Sequence, residues 1–531
     1  MGIVNRFEND VVVDSSLPKD ALSSKQFATI VDVISEGEIE GFPSAAAFTP
    51  GTTNYNNAAL KDVYLGKTPV LRANADVTDL QTTDFNFQNV EFEPRFGTSD
   101  QNFIPGIKNI ETETNVGVKV EKGTPVSRQI TNSNVNAIRV TVKFNSLQKF
   151  ESNGDVNGAT VRLKINLLQG DGTTSTPIDD TITGRSSSAY ARDYRIGLFS
   201  VTRHGFIPST FPVTITVERV TDNAEDPTKL RDEFIFSSFT EIVDEQRPYP
   251  DIAHVALRFD SEQFSSVPGR MYKVRGVKIK IPHNGTVDAT TGRITYSGTF
   301  NGTLTTTTHW TSDPAWILFD LLTNTRYGLG DHITESQLDK FAFYSASVYC
   351  STLVDDGLGG QEPRFSCNTI LQSRQDAYEV ISALTSVMRA ITFWNAGSLT
   401  LSQDRPTDPS YLFNLSNVTE QGFTYSGTSL KTRSTMISVS YFDMENQELD
   451  FETVEDTTAK TKYGALHKKV TGFACTSRGQ AARLGRFMLF EEQNSTETIS
   501  FTTGLAEGVI VRPGQVIEVS DPVRAGARRG G

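Results

Sequence analysis

Cysteine is scarce. Cys350, Cys367 and Cys475 are the only three in 531 residues, too few for a disulfide scaffold. Lacking a CxxC spacing, they do not make a zinc site either. They read as buried free thiols, with a pairing of Cys350 and Cys367 across the intervening loop left open. Histidine is also sparse. His204, His254, His283, His309, His332 and His467 show no HxH, HxxH or HExxH spacing, so no sequence-local metal site is expected. A P-loop and a GxGxxG opening a helix are absent. No apolar run approaches the roughly 20 residues of a membrane span. The opening MGIVNRFEND carries charges where a signal peptide needs its apolar stretch, and Arg6 after Gly2 departs from the myristoylation pattern. Assembly in a cytoplasm is expected. Basic residues are outnumbered, 50 against 63 acidic, giving a net charge of −13 and a pI near 5.1. A chain whose main task is to hold nucleic acid needs the opposite balance.

What is present is the composition of a globular, turn-rich β chain long enough for several cores. Hydrophobic residues make up 37% and charged residues 21%. Ile138, Val140, Val142 and Phe144 alternate with Arg139, Thr141 and Lys143, predicting a strand with one wet face. Val161, Leu163, Ile165 and Leu167 repeat the pattern, as do Val213, Ile215 and Val217. Asn153-Gly154, Asn157-Gly158 and Gly170-Asp171-Gly172 supply turns between them. VYLGKTPVL reads as a hairpin around Gly66. His254–Phe259, Val274–Ile281, Thr435–Phe442, Thr496–Thr502 and Val516–Val519 read as further strands. Residues 1–24 read as an arm: Val11–Val13 can add as a strand to a neighbouring subunit, with a disordered terminus as the alternative.

Between Asp313 and Pro406 the apolar spacing changes from two to between three and four, which marks helices. Asp313-Pro314 fits an N-cap with proline at the first helical position. Trp316, Ile317, Leu318, Phe319, Leu321 and Leu322 are apolar nearly all round, predicting a deeply buried helix ended by Gly328 and Gly330. Thr334 and Gln337 match a capping box for a second helix. Ser373 caps a third, with Ala377, Val380, Ile381, Leu384 and Met388 on one face. A hairpin follows, Ile391–Trp394 and Ser398–Gln403, turning at Asn395-Ala396-Gly397. Ser477 and Gln480 box a later helix carrying Ala481, Leu484, Phe487 and Met488.

Candidate chemistry is thin. Glu36, Glu38 and Glu40 in SEGEIEG would point one way on a strand, but lack the loop spacing of a calcium hand; a structural turn or interface is the better reading. Asp355 and Asp356 in DDGLGGQEP precede Gly357, Gly359 and Gly360 and read as a tight glycine turn rather than a cation site, with Arg364 as a candidate ion-pair partner for Asp356. Ser186, Ser187 and Ser188 lack the GxSxG elbow of a hydrolase. Trp310, Trp316 and Trp394 show no regular exposed spacing, which favours core packing over sugar binding.

Several long phrases, in one order, carry a family resemblance. They are VDVISEGEIEGF, SSFTEIVDEQRPYPDIAHVALRFDSEQF, WILFDLLTNTRYGLG, DDGLGGQEPRFSCN, MRAITFWNAGSLTLSQDRP, VEDTTAKTKYG and GFACTSRGQAARLGRFML. Together they resemble the lambda-type phage tail tip J proteins, the host-specificity proteins at the central hub of long, non-contractile tails. The resemblance covers most of positions 25–520 and is weakest at 45–230.

The resemblance implies a mainly β, β-rich α+β fold with a central α-helical element. It implies a multi-domain hub with tube-like β-barrel domains and an inserted β-sandwich. The division read from it is an arm at 1–24, a first hub β domain at 25–145 continuing at 233–308, an inserted sandwich at 146–232, the helical element with its hairpin at 309–406, and a second hub β domain at 407–531. In the family this last domain runs on, so the chain is expected to end inside a domain, being either a short version or part of a longer protein. The implied function is a structural one: a homotrimer at the virion tail tip that joins and closes the tail tube, anchors the receptor-binding fibre and opens for DNA ejection. Implied partners are other tail tip and distal tube proteins, the tape measure protein and tail fibre or side proteins, with the host receptor met through distal domains outside this sequence. DNA passes without stable binding; no catalytic residue, cofactor or metal is expected. The net negative charge suits a channel through which phosphates must slide. The rival is a secreted or cell-surface carbohydrate-binding or hydrolytic β protein, which would bring a signal peptide and paired catalytic carboxylates.

Overall fold

The computed structural model describes residues 27–104, 108–202, 205–244, 247–260, 263–264, 266–372, 376–395, 397–427, 433–522 and 528–530. The 1–24 arm, His204, Ser373 and Ala396 lie outside them. The described chain is mainly β with α-helices concentrated in its second half, and it divides into two compact units, 1–276 and 277–531.

The first unit is built on an antiparallel three-stranded sheet in which Ile252–Asp260 lies between Phe27–Glu36 and Glu91–Phe96. Ala253, Val255, Ala256, Leu257 and Phe259 are buried, so this central strand is apolar on both faces. Its core partners include Phe42, Leu60, Leu71 and Phe92, with the Phe42 and Phe92 rings edge-to-face at 5.3 Å. The expected hairpin at Gly66 forms between Val63–Leu65 and Thr68–Pro69, with Gly66 at φ +66°. A short helix, Thr53–Ala59, is capped by the Thr52 side chain; sequence periodicity had no length there to reveal it.

Inserted into this sheet is a sandwich of two four-stranded antiparallel sheets. One runs Tyr190–Gly197, Ala137–Phe144, Phe234–Asp244, Lys108–Lys119; the other runs Thr174–Gly184, Ala159–Leu168, Val213–Arg219, Val126–Ile130. The alternating residues face each other across one core: Ile138, Val140, Val142 and Phe144 from one sheet, Val161, Leu163, Ile165, Val213, Ile215 and Val217 from the other. Full burial of each contributes about 1.5–3 kcal/mol relative to exposure. The sandwich therefore takes strands from both sides of the 146–232 stretch. It closes over a fully buried Arg219–Asp232 ion pair of 2.6 Å.

The point of insertion is narrow. Phe96, where the chain leaves the three-stranded sheet, is paired in register with Ala253, where it returns. Gly97 follows at φ +81°, and a Cβ there would sit 2.6 Å from the Gly37 carbonyl oxygen. Gln101 ties the two connections together. Its side-chain oxygen accepts from Gly97 N at 2.9 Å, and its amide donates to the carbonyls of Pro248, Tyr249 and Ile252 at 3.0, 2.6 and 3.0 Å. Tyr249 and Asp251 hold positive φ in the returning turn, a conformation that costs on the order of 1 kcal/mol per non-glycine residue. Tyr249 covers the buried His254 ring edge-to-face at 5.6 Å, and burial lowers the His254 pKa.

In the second unit, the Pro314–Thr323 helix starts where expected, with Asp313 as its N-cap and Pro314 at the first position. Trp316, Leu318, Phe319 and Leu322 are buried. The helix stops earlier than the glycines suggest, at Thr323. Asn324 turns the chain by accepting from Arg326 N and Tyr327 N. Gly328 and Gly330 serve a different need: a Cβ on them would lie 2.1 Å from the Leu321 oxygen and 2.3 Å from the Thr323 oxygen. The Thr334–Gln337 box forms, but on a single 3-10 turn; the helix Lys340–Cys350 is capped by Asp339. Asp376 caps the third helix, Ala377–Val387, which buries Leu384 and packs Val380 and Ile381 against the same core. The expected hairpin forms between Ala390–Asn395 and Ser398–Gln403, with Asn395, expected in the turn, paired instead with Ser398.

The C-terminal part holds the three-stranded sheet Glu448–Glu455, Met436–Asp443, His467–Thr471, in that order, antiparallel then parallel. The 17-residue helix Arg478–Asn494, capped by Ser477, covers the face bearing Ile437, Val439, Tyr441 and Val454. The described sheets have two to four strands each in open order. Closure of a small barrel takes roughly eight strands, so the tube-like barrels implied by the resemblance do not close among the described residues.

Replacing Gln101 by Ala removes the side chain that holds both connections. The expected result is faster protease cleavage within 248–252, with the sandwich itself surviving as a resistant fragment; unchanged cleavage rates would show that Gln101 does not set this junction.

Candidate functional site: the joint between the central helices and the C-terminal β domain

Two carboxylates organise the second unit. Asp313 is the first. Its Oδ1 accepts from Ala315 N and Trp316 N at 3.0 and 3.1 Å. Its Oδ2 accepts from the Ser347 hydroxyl at 2.6 Å, on the next helix. Trp316 Nε1 donates to the Tyr296 hydroxyl at 2.9 Å, and Tyr296 in turn bonds Ser347. Burial pushes the Asp313 pKa up, and the hydrogen bonds from Ser347 and the helix N–H groups pull it back. A carboxylate removed from water needs such donors, or it protonates.

Glu362 is the second. It stands on the hairpin Leu353–Asp355 with Gln361–Pro363, which is the glycine turn expected of DDGLGGQEP. Asp356 closes that turn by accepting from Leu358 N and Gly360 N at 2.7 and 2.9 Å. These bonds lower its pKa. The candidate ion pair with Arg364 does not form. Arg364 instead lies over the Tyr349 ring at 4.4 Å, drawn by the apolar stem and the cation–π contact. Glu362 reaches forward in sequence to the Arg478–Asn494 helix. It accepts from the Ser477 hydroxyl and pairs with Arg483 at 2.6 Å. Arg483 also donates to the carbonyls of Pro363 and Arg364 at 3.3 and 3.1 Å.

The rest of the joint is amide chemistry and close approach. Gln480 does not complete the expected capping box. Its Oε1 accepts from Ser366 N and the Ser366 hydroxyl at 3.0 and 2.9 Å, and its amide donates to the Ser366 carbonyl at 3.0 Å. Asn368 adds a bond to Thr476 at 2.9 Å. Gly479 permits this: a Cβ there would stand 2.4 Å from Glu362 Oε1 and 2.6 Å from the Asp356 oxygen. Gly485 is pressed likewise against Val454. Arg389, at φ +52°, is held between the Phe365 and Phe487 rings at 5.1 and 4.0 Å, and burial lowers its pKa. Thus DDGLGGQEPRFSCN and GFACTSRGQAARLGRFML, more than 100 residues apart, form one site. Neither phrase revealed the other, although the pattern Glu-Pro-Arg against Ser-Arg-Gly-Gln-Ala-Ala-Arg offered opposite charges.

The remaining candidates are dispersed. Cys350, Cys367 and Cys475 are free and buried. Burial pushes Cys367 to about 12 and Cys475 to about 11, so they rest as thiols rather than reactive thiolates. Glu36 ends one strand, Gly37 follows at φ +96°, and Glu40 lies in the next strand. The Ser186 hydroxyl donates to the Ser188 carbonyl at 2.9 Å. His283 stacks on Phe300, and His467 bonds Ser438 at 2.7 Å. Among the described residues no group of three or more His, Cys, Asp and Glu is placed to hold a metal. Trp316 is core as expected, whereas Trp394 is 58% exposed.

Comparison with known proteins fits this picture. Residues 110–245 match the FNIII-A domain of tip attachment protein J, and residues 376–531 match a family described as putative phage tail protein. The chain is 34% identical over 464 residues to the tip attachment protein J of Escherichia phage SECphi27, covering 87% of this chain and 37% of that protein. It is 31% identical over 507 residues to the tip attachment protein J of Escherichia phage SECphi4, covering 94% and 41%. Two solved structures overlap more loosely. One is a chain of the native gene transfer agent virion, 15% identical over 54% of this chain and 62% of that one, at a TM-score of 0.35. The other is a tail protein from Neisseria meningitidis MC58, 10% identical over 74% and 89%, at 0.26. Scores this low define no shared overall fold. The sequence matches define a structural protein of the phage tail. Within that class the chain belongs to the lambda-type tail tip J family, whose place is the tail tip of the virion. It spans about two fifths of the length of the curated relatives it matches.

Substituting Arg483 by Met strands Glu362 against a single hydroxyl donor. A loss of about 1–3 kcal/mol is expected, read as a lower denaturation midpoint; the Glu362→Gln, Arg483→Met double variant should lose less than the sum of the singles. In a thiol assay at pH 8, the folded chain should react negligibly, and the unfolded chain should show all three thiols under non-reducing conditions; one thiol would mean that Cys350 and Cys367 are paired.

Proposed function

We propose that this chain is the hub region of a homotrimeric tail tip that joins and closes the tail tube, anchors the receptor-binding fibre and opens for DNA ejection. The observation that carries this reading is the 34% identity to a tip attachment protein J along 87% of the chain. The role is structural rather than catalytic. Its polar clusters are spent on joints: Asp313 on a helix cap, Glu362 and Arg483 on a helix–hairpin contact.

Around it, the distal tube, tape measure and fibre or side proteins would be the neighbours, and the host receptor would be met by domains outside these residues. The domain division follows the same reading: an arm at 1–24, a first hub domain interrupted by the sandwich, the helical element, and a second hub domain from 407. The net charge of −13 supports a channel wall that is acidic or small and neutral, since phosphates repelled by the wall release no counterions to drive binding.

An electron microscopy map of the assembled tail end tests this directly. Threefold density at the tip that accommodates three copies, with no basic lining, is the expected outcome. Sixfold density along the tube, or a strongly basic channel wall, would overturn it.

A further inference from the structure

The sheet of the C-terminal β domain ends in an open strand. His467–Thr471 lies last in its order, and among the described residues nothing pairs with its far side. Edge strands present a row of unused backbone donors and acceptors and invite another strand. This one is unusual in its charge. It reads His-Lys-Lys-Val-Thr, and all but Val470 are exposed.

Its two faces differ. On one, Val470 packs against the core under the long helix, and Lys468 pairs with Glu492 of that helix at 2.8 Å. On the other, His467 bonds Ser438 at 2.7 Å, and Lys469 lies over the Phe451 ring at 5.8 Å, with no ion pair among the described residues. A strand added here therefore meets a cationic face on one side and a half-buried valine on the other.

Of the other long edges, Thr174–Gly184 carries Asp179 and Asp180 and Glu448–Glu455 carries four carboxylates, Lys108–Lys119 balances Glu111 and Glu113 with its two terminal lysines, and Tyr190–Gly197 carries Arg192, Asp193 and Arg195, with Arg192 paired to Asp180.

Residues 8–14 read Glu-Asn-Asp-Val-Val-Val-Asp. Extended, this segment would put Glu8, Asp10, Val12 and Asp14 on one face and Asn9, Val11 and Val13 on the other. All three carboxylates share a side, and two of the three valines share the opposite one. That pattern is the complement of His467–Thr471: carboxylates beside His467, Lys469 and Thr471, valines beside Val470. Opposite charges directly across neighbouring strands stabilise the pairing, and like charges oppose it.

We propose that residues 8–14 of one copy add as a strand to the His467–Thr471 edge of a neighbouring copy. The contact is head-to-tail, because donor and acceptor are different surfaces, and such contacts close into rings when the rotation allows. The inference rests on the trimer reading above and supplies it with a subunit contact.

The test mixes two full-length variants, Val12→Cys and Thr471→Cys, and treats them with a short bismaleimide; Cys350, Cys367 and Cys475 are buried. Light scattering measures the mass of the untreated mixture. A cross-linked product at twice the chain mass is expected only in the mixture. It should fall at least fivefold when Lys469→Glu is added to the acceptor, and recover when the donor also carries Asp10→Lys and Asp14→Lys. A trimer that yields no cross-link overturns the strand addition and leaves the trimer reading standing. In a third variant that carries both Val12→Cys and Thr471→Cys, a cross-link within the chain, with none in the mixture, shows the segment folding back on its own copy, which also overturns it. A chain that stays monomeric without cross-links removes both.

Discussion

A carboxylate buried away from water constrains the second unit more than any apolar contact does. Asp313 has to keep its donors, which are the N–H groups at the start of its own helix and the hydroxyls of Ser347 and Ser351 at the next helix, and Ser347 in turn meets the Tyr296–Trp316 pair. Apolar packing tolerates small slips between helices, but hydrogen bonds of 2.6–3.1 Å do not. The aromatic core of Trp316, Phe319 and Phe343 supplies the larger share of burial free energy. The Asp313 network selects which arrangement of that core forms.

The joint at Glu362 and Arg483 applies the same logic one step outward. The hairpin needs glycines to turn and the long helix needs Gly479 and Gly485 to approach, so small residues set the distance and charged residues set the register. Such a joint transmits position from the central helices to the sheet beneath the long helix without any chemistry at its centre. This is what a tail tip protein asks of a contact that has to hold its geometry.

The sequence was most legible where one period ran long enough. The Ile138–Phe144 and Val213–Val217 alternations became strands with one inward face as read, although Ile138–Phe144 joins the sandwich and not the sheet that precedes it, and the apolar Trp316–Leu322 run became a buried helix. Local capping was half legible. Asp313 and Ser477 cap as expected. Thr334–Gln337 makes its box on a turn, and Gln480 leaves its box for Ser366, because a tertiary partner outbids a local one when both satisfy the same amide. Gly328 and Gly330 looked like helix terminators, and the real constraint was steric, set by carbonyls several residues back. Joints between distant phrases were not legible at all. Arg483 and Glu362 lie 121 residues apart, and no periodicity connects them. The same limit hid the Gln101 junction, which joins residues about 150 apart.

The register pair Phe96–Ala253 at the root of the sandwich has an evolutionary corollary. Two antiparallel neighbours joined at their ends need only a tight turn to be continuous. A genome that loses, swaps or enlarges the sandwich therefore leaves the parent sheet with the same neighbours and the same side-chain alternation. The parent sheet can stay under the strict demands of its own packing while its appendage diverges under other pressures. Recombination breakpoints that fall at Gly97 and Asp251 would be silent to the fold on either side.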